Sequence, residues 1–170
     1  MTAYVALLRA VNVAGQKLLM SDLKAIAEEL GLENARTFIA SGNLLFASRR
    51  SEERLKADLE AGLEKHMGKR IGVMIRSAQE MAAILAANPF PVEPGNRTVA
   101  IFLDQAPPAD AAAGARNLGD ERIGIGAREI YVAYGGGMAH SKLKIPAAAT
   151  GTARNMNTVA KLAELAGEMS

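Results

Sequence analysis

The stretch Arg36–Ala47, RTFIASGNLLFA, decides the fold because its pattern is that of two strands joined by a tight turn. Residues 36–40 and 43–47 are rich in the apolar and aromatic side chains that strands favour, whereas Ser41 and Gly42 are typical of a turn. The sequence therefore predicts an antiparallel hairpin, and the elements on either side of it define the fold.

A helix is predicted on each side of this hairpin. The first is expected to begin at Ser21 as its N-cap and to end at Gly31, which suits a left-handed backbone. The second is expected to begin at Ser51, because Glu52 and Glu53 follow it and favour the positive end of the helix dipole. Both helices carry apolar residues at helical spacing. These are Leu23, Ile26, Ala27 and Leu30 in the first helix, and Leu55, Leu59, Leu63 and Met67 in the second.

Short apolar runs at 3–8 and 71–75 predict one more strand at each end of this region. The resulting order is β-α-β-β-α-β, in which each crossover helix joins parallel strands that have another strand between them. The first half of the chain is therefore predicted to be ferredoxin-like, with an antiparallel four-stranded sheet and two helices on one face.

The second half predicts a related unit. Ser77 and Glu80 form a capping box for a short helix that stops at Asn88, before Pro89. A strand at 98–103, a helix opened by Pro107 and Pro108, two strands around Gly126, a glycine-rich loop and a final helix follow. This order, β-α-β-β-α, predicts an α+β protein of two subdomains, residues 1–88 and 89–170.

Composition excludes several classes of protein and site. The chain has no cysteine, so disulfides and thiolate metal sites are excluded, and its net charge of +2 gives no argument for a polyanionic partner. The apolar run at 3–8 is too short to span a membrane and follows no basic region, so we expect a cytoplasmic protein with no membrane association. Nucleotide-binding glycine motifs and metal-ligand spacings are absent, so no cofactor or metal is expected.

Several segments together resemble one bacterial family, the domain of unknown function 1697. The resemblance covers nearly the whole chain, in the expected order, and implies an α+β fold of two subdomains, the first ferredoxin-like. The chain departs from the family pattern at Ala10 and Ala14, where glycine is usual, and at Met156, where tryptophan is usual. The segments that carry the resemblance are LLRAVNVAGQKLLMSDLKAIAEELGL, SGNLLF, GDERIGIGAREIYV, SKL and TARNMNTVAKLAEL.

The polar turn predicted just before the final helix is a candidate anion site. Amides at the start of a helix lack intrahelical partners and lie at the positive end of its dipole, so side chains there can help to hold an anion. Thr152 or Asn155 could instead be the N-cap, which explains one residue but not the whole cluster. The residues concerned are Thr152, Arg154, Asn155 and Asn157.

Two other segments could complete such a site. The loop from Arg9 to Lys17 follows the first strand and also contains Asn12, although Asn12 and Gly15 could simply form turns. Lys142 lies in a stretch between Glu129 and Glu164 that has no acidic residue, which indicates either a positive patch or a chance run of solvated cations. The sequence thus predicts a site for a small phosphate- or carboxylate-bearing ligand at the junction of the two subdomains. Its candidate ligand-binding residues are Arg9, Asn12, Lys17, Lys142, Thr152, Arg154, Asn155 and Asn157.

The histidines give weaker signals. His140 precedes Ser141, but neighbours in sequence need not face one another, and the pattern identifies no acidic group that would orient the histidine. His66 falls on or beside the apolar stripe of its helix, so we expect it to be packed or half-exposed.

Three functions therefore stay open. Binding of a small anionic ligand is favoured, and the alternatives are a nucleic-acid module that contacts phosphates and a protein-interaction or structural role. The seven aromatic residues, three Tyr and four Phe, include no run typical of RNA-binding sheets. Whether the chain is an enzyme, and its oligomeric state, are not indicated by the sequence.

Overall fold

A computed structural model describes residues 1–9, 18–38 and 42–169. The chain divides into two compact units, one of Met1–Ala82 with Leu162–Ser170 and one of Ala83–Lys161. This division lies earlier in the chain than the predicted boundary at 88/89, and the end of the chain groups with the first unit. Asn12 and Lys17 lie outside the described residues, as do Ala10, Ala14 and Ser41.

The first unit contains a four-stranded antiparallel sheet. Its strands are β1 (Thr2–Leu8), β2 (Glu33–Thr37), β3 (Asn43–Ser48) and β4 (Val73–Ser77). They lie in the order β2-β3-β1-β4, and every neighbouring pair is antiparallel. This is the strand order of a ferredoxin-like fold, so the fold predicted for the first half is confirmed.

Two helices, α1 (Met20–Glu29) and α2 (Glu52–Met67), pack with the sheet in one apolar core. Alternate residues of β1, β3 and β4 contribute to this core, including Ala6, Phe46 and Val73. Gly62 of α2 allows close packing, because a β-carbon there would lie 3.0 Å from the side chain of Ile26 in α1. The predicted apolar stripes thus form the interior of this unit.

The ends of these helices follow the prediction with one exception. Ser51 caps α2, since its hydroxyl accepts a hydrogen bond from the Arg54 amide at 3.2 Å, and Gly31 follows α1 with the predicted positive φ of 79°. The prediction that Ser21 is an N-cap was wrong: Leu19 is the N-cap and makes no side-chain cap. Leu18 and Met20 pack with the core, so packing sets the start of α1 ahead of the serine.

Helix α3 (Ala78–Ala86) starts with the predicted capping box. The Ser77 amide donates to the Glu80 carboxylate at 2.9 Å, and the Glu80 amide donates to the Ser77 hydroxyl at 3.1 Å. Both of these amides would otherwise lack a partner at the helix end.

The second unit contains another four-stranded antiparallel sheet. Its strands are β5 (Thr98–Phe102), β6 (Arg122–Ile125), β7 (Glu129–Ala133) and β8 (Thr152–Asn155), followed by α4 (Met156–Met169). The order β6-β7-β5-β8 repeats that of the first sheet, with β8 in the place of β4. Among the residues that the structure describes, no helix is both long enough and apolar enough to cross a lipid bilayer.

Two local predictions in this half were wrong. Pro107 and Pro108 do not open a helix: residues 109–114 form successive turns, in which the Ala111 amide bonds the Pro108 carbonyl at 3.0 Å. This alanine-rich segment has no apolar stripe to pack, and propensity alone rarely holds a short helix. The polar turn before the last helix is the strand β8, in which Arg154 lies opposite Ala100 of β5.

Candidate functional site

Thr152 and Arg154 point to the same side of β8 and are both buried, with 8% and 6% of their surface exposed. The Arg154 guanidinium donates to the Thr152 hydroxyl at 2.7 Å and to the Ala153 carbonyl at 2.9 Å. Burial lowers the pKa of Arg154 to about 10, which leaves the side chain charged at neutral pH. These two predicted site residues are therefore brought together inside the second unit, and their binding of a ligand stays a prediction.

Asn155 and Asn157 have local partners. The Asn155 side chain accepts a hydrogen bond from the Thr158 amide at 2.9 Å, so it is the N-cap that the sequence offered as an alternative. The Asn157 amide lies against Gly95, where any β-carbon would overlap it. Met156 is buried, with 4% of its surface exposed, so a ring at this position would lie in the interior.

Two further predicted residues, Arg9 and Lys142, are among the described residues. Arg9 is exposed directly after β1, and its backbone amide donates a hydrogen bond to the Gly72 carbonyl at 2.9 Å. Asn12 and Lys17 lie outside the described residues. Lys142 is exposed and lines a polar cavity of about 380 Å³ in the second unit. Polar or charged residues that share this cavity are Asn117, Asp120, Glu121, His140 and Ser141.

An acidic partner for Ser141, which the sequence did not identify, is Glu121. The Ser141 hydroxyl donates to one Glu121 oxygen at 2.5 Å, and the Gly119 amide donates to the other at 2.7 Å. The bond from Ser141, followed by backbone hydrogen bonds, lowers the pKa of Glu121. A carboxylate with a lowered pKa is a poor general base at neutral pH, so this arrangement ties two segments together rather than activating the hydroxyl.

A second cavity in this unit, of about 390 Å³, is mostly apolar. The fold explains the position of this cavity. One face of the first sheet packs with α1 and α2, whereas no α-helix joins the strands of the second sheet in the fully described stretch 98–155. Non-helical segments supply Ala111 and Ile145 to the core on that face instead. The apolar residues that line the cavity are Ile101, Leu143, Ile145, Pro146, Ala148 and Ala149.

Two cations, Arg116 and Lys144, lie side by side at the exposed rim of this apolar cavity. Each amide donates to the other residue's carbonyl, at 2.7 and 2.9 Å, which forms an isolated antiparallel bridge. Residues paired in this way project their side chains to the same side, with α-carbons about 5.5 Å apart. Within the described part of the chain neither side chain has an ion-pair or hydrogen-bond partner, and no acidic residue lines the cavity. We call Arg116 and Lys144 the rim pair.

Tyr134 is the remaining residue that lines the apolar cavity, and it is half-buried. Burial, and to a smaller extent the negative charge of Glu121, raises the pKa of Tyr134. Its hydroxyl therefore stays protonated at neutral pH and can donate a hydrogen bond. The cavity thus combines an apolar interior, one neutral donor and two cations at its rim.

Sequence reasoning found only part of this arrangement. The acid-free stretch from Glu129 to Glu164 includes Lys144 and indicated either a positive patch or a chance run of solvated cations, and nothing in the pattern singled out Arg116. Their pairing depends on a bridge between segments that are distant in sequence. Among the described residues, no three acidic or histidine side chains are arranged so that they could hold a metal ion.

Comparison with known proteins gives a family but no activity. A conserved bacterial protein, SP0830 from Streptococcus pneumoniae, has a similar structure, with a TM-score of 0.83 and 26% sequence identity over 98% of this chain and 99% of that chain. No protein with a curated description matches the sequence significantly. The profile of the family described as "Protein of unknown function (DUF1697)" matches residues 1–131. Since this match covers most of the sequence and agrees with the motifs that first suggested it, the chain belongs to the DUF1697 family.

Proposed function

We propose that this protein binds a small anionic ligand, bearing a carboxylate or a phosphate, in the apolar cavity of the second unit. The rim pair carries this proposal: two cations lie directly opposite each other at the mouth of a cavity of about 390 Å³, without a counter-ion among the described residues. Pockets of this size, mostly apolar with a few convergent polar groups, are typical of small-molecule sites.

The electrostatics of the rim pair favour an anion. Like charges directly opposite each other across a strand pair destabilise a fold, and a bound anion replaces this repulsion with two attractions. The planar guanidinium of Arg116 can bind a carboxylate or phosphate with two parallel hydrogen bonds, and the Lys144 ammonium adds a point charge.

The alternatives have less support. Three of the seven aromatic side chains are buried and the other four are half-buried, so none stands fully open for stacking on single-stranded nucleic acid. No specific observation favours a protein-interaction role. The site predicted from the sequence, which includes Lys142 and Arg154, remains a separate proposal, and the experiment below also tests its Lys142.

A fluorescent dye that matches the size of the cavity, the apolar anion 2-naphthoate, tests this function directly. We expect saturable binding to the folded wild type, and a fivefold to tenfold weaker affinity in both Arg116→Ala and Lys144→Ala, since losing one charged contact costs on the order of 1 to 1.4 kcal/mol. Lys142→Ala is the matched control, because it removes the same charge two residues from Lys144 but lines the polar cavity.

Equal affinity in wild type, Arg116→Ala and Lys144→Ala would rule out the rim pair as the anion site. A loss of affinity in Lys142→Ala alone would instead support the site predicted from the sequence. Thermal unfolding of each variant shows whether a change in fluorescence reflects binding or a loss of structure.

A further inference from the structure

We infer that the ligand of the apolar cavity is a monoanion with an apolar body, such as a medium-chain or aromatic carboxylate, and not a sugar phosphate or a nucleotide. This inference rests on the proposed function and adds the chemical class of the ligand. It follows from the chemistry of the walls, the distribution of charge and the size of the cavity.

The residues that line the apolar cavity disfavour a ligand with a polar body. Six of the nine lining residues are apolar, and the Tyr134 hydroxyl is the one neutral polar side-chain group among them. A ligand with several hydroxyl groups would lose its hydrogen bonds to water and regain few of them, because Tyr134 carries the one neutral polar side chain of the cavity and the rim pair would hold the anionic group. Unsatisfied polar groups are costly in such an environment, so sugars and riboses are disfavoured.

The charges lie at one end only. Arg116 and Lys144 are exposed, whereas Ile145, which follows Lys144 directly, is buried with 9% of its surface exposed. The anionic group of a ligand therefore lies at the rim, and its body extends over the apolar residues. A second anionic group on the ligand would meet no cation inside the cavity, which favours a monoanion.

The volume limits the length of the ligand. At about 30 Å³ for each non-hydrogen atom, close to the volume of one water molecule in the liquid, a cavity of 390 Å³ holds roughly a dozen such atoms. Saturated carboxylates of about eight to twelve carbons, or two fused aromatic rings with one carboxylate, match this size.

Displacement of bound 2-naphthoate, the fluorescent dye, by three six-carbon compounds tests the class. Hexanoate keeps both the charge and the apolar body, gluconate keeps the charge but carries five hydroxyls, and 1-hexanol keeps the body without the charge. We expect hexanoate to displace the dye at a concentration at least tenfold lower than gluconate and about fivefold lower than 1-hexanol.

A chain-length series from hexanoate to dodecanoate tests the size. Each added methylene should tighten binding about fourfold, which corresponds to ~0.8 kcal/mol, until the cavity is filled near ten to twelve carbons. Ala148→Phe should shorten the optimal chain because Ala148 lines the cavity, whereas Ala113→Phe, at an exposed position, should leave the optimum unchanged. Ala148→Leu is a smaller change that serves the same purpose if the phenylalanine variant does not fold.

These experiments distinguish a wrong ligand class from a wrong proposed function. If gluconate competes as well as hexanoate, or if chain length has no effect, while Arg116→Ala still weakens dye binding, the ligand class is wrong and the proposed function stands. If Arg116→Ala and Lys144→Ala leave dye binding unchanged, the proposed function itself fails.

Discussion

Replacing Lys144 with glutamine should make the free protein more stable and its ligand binding weaker. In the free protein the rim pair places two positive charges directly opposite each other, with no counter-ion among the described residues. Two unit charges separated by about 5 to 10 Å in water repel by roughly 0.4 to 0.8 kcal/mol, and like charges directly opposite on a strand pair are destabilising. Both side chains are exposed, so the value in water applies.

The expected change in stability can be measured by thermal unfolding at low ionic strength. A gain of about 0.5 kcal/mol corresponds to an increase in Tm of roughly 1 to 2 °C for a protein of this length. Lys144→Glu converts repulsion into attraction and should about double the gain. In 1 M salt, where the screening length is about 3 Å, both gains should disappear.

Lys142→Gln is the matched control for this prediction. It removes the same charge from the same segment, but it does not line the apolar cavity, so its Tm should stay within about 0.5 °C of the wild type. The reasoning is refuted if Lys144→Gln lowers the Tm, or if the two glutamine variants change both the Tm and the affinity for the anionic dye equally.

Three further predictions concern the fold. Gly151→Ala should lower stability by about 1 to 3 kcal/mol in chemical denaturation, because its β-carbon would lie 2.8 Å from the Phe102 carbonyl oxygen. As the control, Gly167→Ala should raise stability by about 0.5 to 1 kcal/mol, because Gly167 lies in α4 with open space around it. Ser141→Ala should raise the pKa of Glu121 toward its ordinary value of 4.5 in an NMR titration. A carboxyl group whose pKa is lower in the folded state than in the unfolded state stabilises the fold at pH values above the unfolded-state pKa. This stabilisation is lost as the pH falls below about 4.5, so the wild type should lose more stability there than Ser141→Ala. Ser77→Ala should cost about 1 kcal/mol of unfolding free energy, whereas Ser21→Ala should change it by less than about 0.5 kcal/mol, since Ser21 caps no helix.

The first unit was predictable because its periodic signals and its packing agree. The apolar stripe Leu55, Leu59 and Leu63 forms the buried face of α2, and the strand predicted at 43–47 matches β3. Strand β2 begins three residues before the predicted 36–40, of which residues 39 and 40 lie outside the described part of the chain. Ser21 was misassigned because the sequence offered a good capping residue two positions after the N-cap, Leu19, at which packing starts the helix. Local propensity is a weaker constraint than burial in such cases.

Two segments of the second unit were misassigned because their signals are not hydrophobic, whereas the apolar strands β5, β6 and β7 lie where they were predicted. The inward positions of β8 are Thr152 and Arg154, so the alternation that identifies a strand is missing from the sequence. Conversely, the alanines after Pro108 have high helix propensity but no apolar face, and this segment forms turns.

The candidate site was predictable only in its chemistry. A shortage of acidic residues around Lys144 indicated a local positive charge, but the bridge that places Arg116 beside it joins distant segments. The hydrogen bond from Ser141 to Glu121 likewise joins residues distant in sequence, and neither residue type nor spacing predicts it. Such contacts depend on tertiary structure, which a local pattern does not encode.

A double-mutant cycle on octanoate binding tests the central claim most directly. Isothermal titration of wild type, Arg116→Ala, Lys144→Ala and the double variant gives four values of Kd. If one anion contacts both side chains, each single variant should bind at least fivefold more weakly, and the combined loss should differ from the sum of the two single losses by about 0.5 kcal/mol or more. Octanoate binding to the double variant with the wild-type Kd would contradict the account.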